Sequence, residues 1–198
     1  MTPQPHTMLA GLSRRRLLGL LIGLGAAALP GCSPEQPGAR RAGPGAGRCL
    51  SFDDGQVATL EALIAAVVPT MAPYPAAADA RVLDRFDEET YFVSDEVRDD
   101  IRTAIDALEY LPLLYGHVSR FSHLALEARQ RVLGAAMQSR FAVPRAVAGS
   151  LRMMAHLFYY GHPATWAATG YDGPFARIAP ILSEQRIHFA ELRGGTPR

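Results

Sequence analysis

From Ser51 onward, apolar residues recur three and four positions apart, and each break between such runs carries helix punctuation, so the folded part of this chain reads as packed helices. Asp53 or Asp54 can cap a first helix whose apolar face is Val57, Leu60, Ile64 and Val67, and Pro69 ends it. Pro73 and Pro75 make Thr70 to Ala76 a loop, after which Ala77 to Glu88 form a short helix presenting Val82, Leu83 and Phe86. Ser94 is a good N-cap, with Asp95 and Glu96 at the positive end of a helix that buries Val97, Ile101, Ile105 and Leu108 until Pro112. Ser122 caps a fourth helix, with Phe121 as a staple and Leu124, Val132, Leu133 and Met137 on its face. Pro144 suits the first turn of a fifth helix that presents Val147, Leu151, Met154 and Phe158, runs through Tyr160 and stops at Gly161. No segment alternates convincingly as a strand does. The expectation is one all-α domain over residues 51–198, an irregular bundle of five to six helices.

The residues before this domain carry a different pattern. Ser13-Arg14-Arg15-Arg16-Leu17-Leu18 opens an apolar run to Leu29 of about 13 residues, short of the ~20 a spanning helix needs. Residues 1–32 therefore read as a signal peptide, and the order of Ser13, Arg14, Arg15, Leu17 and Leu18 resembles the twin-arginine signal that exports folded proteins. Export in the folded state to the periplasm, or to the outer face of the cytoplasmic membrane, is the expectation. Leu29-Pro30-Gly31-Cys32 resembles a lipobox, which makes Cys32 a candidate acylation site. A Cys32–Cys49 disulfide in an oxidising compartment is the alternative, and two cysteines do not decide between them. Residues 33–50, dominated by Pro, Gly, Ala and Arg up to Arg48, read as a flexible linker.

All 20 basic residues are arginine; with Arg14 to Arg16 removed, 17 arginines face 19 carboxylates, a formal charge of −2 that gives no electrostatic reason to expect nucleic-acid binding. Six histidines show no metal-binding spacing, and no phosphate loop, nucleophile elbow, dinucleotide fingerprint or haem-attachment motif is present. The sequence thus nominates no catalytic, cofactor-binding or metal-ligating residue. His156 reads as a hydrogen-bonded structural histidine. The acidic cluster Asp87, Glu88, Glu89, Asp95, Glu96, Asp99 and Asp100 alternates with arginine and reads as a solvated face. Met154 falls on the apolar stripe and reads as core.

The unusual segment is Phe158-Tyr159-Tyr160-Gly161-His162-Pro163-Ala164-Thr165-Trp166, followed by Gly170-Tyr171-Asp172-Gly173-Pro174. Its aromatic side chains either plug the bundle or project to a partner, which makes Tyr159, Tyr160, Trp166 and Tyr171 candidate contacts. This block, with the export signal, Leu60-Glu61-Ala62-Leu63-Ile64 leading to Val68-Pro69, the helix from Ile101 to Leu108 and Phe121-Ser122, resembles the small subunit (subunit 3) of membrane-associated gluconate 2-dehydrogenase and related flavin-dependent sugar dehydrogenases. The resemblance runs from about Leu50 to Pro174. It implies a non-catalytic helical subunit that holds no cofactor, partners a large FAD-dependent dehydrogenase lacking its own signal, often stands beside a cytochrome c subunit, and meets the twin-arginine translocase. Contact with the membrane would come only through a lipid anchor or the complex. The competing reading is a stand-alone exported lipoprotein binding module without a flavoprotein.

Overall fold

The structure, a computed structural model, describes residues 49–173 and 184–194. The segments expected to be a signal peptide (Ser13, Arg14, Arg15, Leu17 and Leu18) and a lipobox (Cys32), with most of the expected linker, lie outside the described residues. Within them the chain is all-helical: α1 (Asp54–Val67), α2 (Val82–Phe92), α3 (Asp95–Tyr110), α4 (Leu126–Met137), α5 (Ala142–Tyr160), the single turn α6 (Trp166–Thr169) and α7 (Glu184–Leu192). Short 3-10 turns at Leu111–Tyr115, Phe121–His123 and Pro163–Thr165 join them. That is seven helices, one or two more than the sequence suggests, because the four-residue α6 and the terminal α7 carry little apolar periodicity.

Helix α1 sits at the centre, packed against α3, α4 and α5, and its residues Leu60, Leu63 and Ile64 are buried with Ile105, Leu108, Val132, Leu133, Val147 and Leu151. Its start is a full capping box: Asp53 accepts from Gln56 N at 2.8 Å while Gln56 Oε1 accepts from Asp53 N at 3.3 Å. At its other end two backbone carbonyls that lack intrahelical partners are met by side chains from other helices. Gln130 Nε2 donates to Ala66 O at 3.2 Å, and His156 Nε2 lies 3.1 Å from Val67 O. His156 is thus the structural histidine expected.

Three elements differ from the sequence expectation. The second helix lies at Val82–Phe92 rather than Ala77–Glu88, since Arg81 takes a left-handed backbone (φ 49°) that breaks the chain from the preceding turns. Val97, expected in the core, is exposed: Arg98 folds back beneath α2 and donates to Thr90 O (3.2 Å) and Tyr91 O (2.7 Å), and the buried layer of α3 begins deeper, at Ile105. Ser122 does not cap the fourth helix. Its hydroxyl and amide both go to the Glu109 carboxylate, at 2.7 and 3.0 Å, and α4 begins after Ala125 with no side-chain cap. Phe121 is fully buried beside it.

Candidate functional site

The aromatic block is built on the end of α5. Tyr159 is fully buried and its hydroxyl donates to Pro75 O at 2.7 Å, pinning the proline loop to the bundle. Burial also raises its phenol above the ordinary tyrosine range, so it is a donor at every physiological pH. Tyr159 is therefore no surface contact: the helical register that exposes Tyr160 turns its neighbour by about 100° into the core. Tyr160 and Tyr171 are exposed and Trp166 is half-buried. Thr165, wholly buried, ties the corner: its hydroxyl donates to His162 O at 2.8 Å, with the Tyr159 and Tyr160 carbonyls also within reach at 3.2 and 3.3 Å. Trp166 and Tyr171 meet edge to face at 5.3 Å, Tyr171 N donates to Trp166 O at 2.9 Å, and Gly173 (φ 97°) leaves no room for a Cβ, which would lie 3.0 Å from the indole. The block both plugs and projects. Tyr159 and Thr165 do the first, Tyr160 and Tyr171 the second.

Above the block, α5 carries an uncharged outward row: Ala142, Ala146, Ser150, Met153, Leu157 and Tyr160 recur at helical spacing and all are exposed, Met153 by 67% and Leu157 by 65%. Arg145 and Arg152 border one side. This belongs to a wider asymmetry that the overall charge hides. Fourteen carboxylates and four arginines lie between Asp53 and Glu109, whereas six arginines and the single carboxylate Glu127 lie between Tyr110 and Tyr171. Ten of the fourteen exposed large apolar side chains among the described residues fall in that second, cationic stretch. The spacing was legible in the sequence; which face of α5 other helices leave uncovered was not.

Several carboxylates expected on a solvated face or left unassigned are structural. Asp87 is fully buried, and its Oδ1 accepts from Ser51 N (2.7 Å) and Leu50 N (3.0 Å), while Ser51 Oγ donates to Asp87 O at 2.8 Å. Asp95, Glu96, Asp99 and Asp100 are exposed as expected. Glu109 joins Thr59 of α1 (3.0 Å) to Ser122, and Asp106 accepts from Gln56 Nε2 at 3.1 Å. Helix α7 closes on α2 through Arg193 to Asp84 (2.9 Å), Arg186 to Glu89 (3.2 Å) and Phe189 between Tyr91 and Phe92. Both ends of the described domain are thus fastened to α2.

A cavity of about 790 Å³ opens between the end of α1, the proline loop and the start of α2. Ile64, Val68, Tyr74 and Val82 form its apolar wall, with Cys49, Glu61 and Arg81 at its polar margin. Cys49 is present as a free thiol; burial, with the Asp87 carboxylate adding, pushes it up to about 11, so it is protonated and a poor nucleophile at neutral pH. Burial first, then Arg81 and Arg85, lower the pKa of His162, which keeps its imidazole neutral; Nδ1 accepts from Ala164 N at 3.2 Å. No group of three or more His, Cys, Asp or Glu able to hold a metal ion occurs among the described residues. No protein-family model, curated protein or solved structure matches the chain.

Proposed function

We propose that this chain is the small, non-catalytic subunit of a flavin-dependent dehydrogenase complex of the gluconate 2-dehydrogenase type. It binds its folded, FAD-loaded partner, takes it through the twin-arginine pore on the signal at Ser13 to Leu18, and stabilises it outside. The observation that carries this reading is the uncharged row on α5 running into the rigid Tyr160, Trp166 and Tyr171 corner. Large aromatic and methionine side chains held in fixed positions, bordered by arginine, have the composition of a protein-docking surface. The buried Asp87 and the half-buried Glu109 support a scaffolding role, since each carboxylate is taken up by hydrogen bonds that join elements of the fold.

Purification of the chain from its native membrane fraction, with an absorption spectrum and mass identification of what accompanies it, tests the reading. A flavin spectrum and a large oxidoreductase without its own signal are expected, and Leu157→Arg should release both. Export of that large subunit in an Arg14→Lys, Arg15→Lys chain would refute the escort role. The cavity beside Cys49 favours a second reading, a stand-alone exported module that holds a small apolar ligand. A colourless, solitary protein in the same purification would select it.

A further inference from the structure

The segment Tyr110 to Val118 forms an exposed apolar knob at the end of α3. Leu111 and Pro112 are buried in the bundle and anchor it, while Leu113, Leu114 and Val118 point outward, Leu114 exposed by 59% and Val118 by 100%. The tip is preformed. Its 3-10 turn is closed by His117 N donating to Pro112 O at 3.1 Å, and Gly116 in a left-handed conformation (φ 81°) turns the chain back. Tyr110, Tyr115 and His117 stand around its base, and the Arg120 guanidinium lies 5.5 Å from the Tyr110 ring centre. From Tyr110 to Leu126 there is no carboxylate.

We infer that this knob is a membrane-surface anchor that dips into the headgroup and upper acyl region of an anionic bilayer. Four properties select lipid over a protein partner. The exposed apolar surface is one short turn, contiguous in sequence, where protein docking sites of useful area are broad and fitted to a second surface. The exposed Tyr110 and the half-buried Tyr115 flank the apolar tip in the chain, and tyrosine favours the boundary between headgroups and hydrocarbon. Closing hydrogen bonds at the tip reduce the number of bare peptide groups that insertion would carry into lipid. The flanking Arg120, in a segment from Tyr110 to Leu126 that carries no carboxylate, matches the negative potential of anionic headgroups. Because no described helix is long and apolar enough to cross a membrane, the contact is interfacial. The surface is distinct from the α5 row and does not depend on the identity of any protein partner.

The test places tryptophan in the full-length chain, one site at a time, as Leu114→Trp, Val118→Trp and Met71→Trp, with Trp166 alone as background. Each chain is mixed with phosphatidylcholine vesicles, with or without phosphatidylglycerol, that carry brominated acyl chains. Whatever the signal segment does, quenching reports the depth of the chosen position. For a knob lying ~5–10 Å into the interface, quenching at Leu114→Trp and Val118→Trp is expected to exceed that at Met71→Trp at least about twofold, and to fall without the anionic lipid. Leu113→Ser in the Val118→Trp chain should remove most of it. Met71, 70% exposed, lies between Leu114 and Val118 in exposure but in the acidic part of the chain, so equal quenching at all three positions overturns the proposal. So does quenching by aqueous acrylamide alone, and so does a co-purified polypeptide that shields the knob from both quenchers.

Discussion

Replacing Asp87 with alanine should unfasten the start of the domain from α2. In the native protein Oδ1 accepts at 2.7 Å from Ser51 N and 3.0 Å from Leu50 N, and Oδ2 lies 3.1 Å from Leu50 N, all with the carboxylate fully buried. Alanine leaves two backbone amides in or near the interior without an acceptor. At about 1–3 kcal/mol for each, the loss is about 2–6 kcal/mol, a large part of the ~5–15 kcal/mol that holds a domain of this size. Asp87→Asn retains Oδ1, the oxygen both amides share, and should cost only about 1–2 kcal/mol. Urea unfolding followed by far-UV circular dichroism measures both, and amide exchange at Leu50 and Ser51 locates the change. The clamp is refuted if Asp87→Ala lies within about 1 kcal/mol of wild type. Equal damage from alanine and asparagine would instead shift the role from acceptor to charge, with Arg193 Nε at 3.9 Å as the counter-ion.

Further expectations concern single buried groups. Thr90 is fully buried and its hydroxyl has no hydrogen-bond partner, so Thr90→Val should leave stability unchanged or raise it by up to about 1 kcal/mol in urea unfolding. Tyr159→Phe removes the donor to Pro75 O and should cost about 1 kcal/mol, with faster proteolytic nicking of the Thr70 to Ala76 loop as a second readout. Burial raises the Asp106 carboxyl above the ordinary aspartate value, and the Gln56 hydrogen bond offsets this only in part. A raised folded-state pKa gives stabilisation that is full below the unfolded value and lost as pH rises through the folded one, so Asp106→Asn should flatten stability against pH there and be no less stable than wild type at neutral pH. The Asp84 carboxyl behaves in the opposite sense: burial opposes its ionisation, but hydrogen bonds from Arg193 and Arg81 outweigh burial and hold it below the ordinary value. Its contribution is present above the unfolded value and falls away as pH drops through the folded one, and Arg193→Ala should reduce that acid sensitivity in the same titration, with Arg81 still in place at 3.1 Å.

The helical class and most helix limits were legible before any tertiary contact, because period, N-caps and proline act within a few residues: Asp53, Ser94 and Pro144 sit where local chemistry puts them. It also marked the aromatic corner as unusual. What it could not assign was the fate of residues whose partners lie far along the chain. Ser122 looks like a cap until Glu109, 13 residues earlier, takes its hydroxyl and amide. Asp87 looks like one more surface acid until the domain's first amides close on it from 36 and 37 residues away. Val97 fits its stripe, yet Arg98 turns that first turn toward α2 and leaves it in solvent. Adjacent tyrosines look alike in sequence, but packing buries Tyr159 and exposes Tyr160, since a helix has one inward arc and only its neighbours decide where that arc points. Periodicity is a local property of the chain; burial and pairing are properties of what comes to lie beside it.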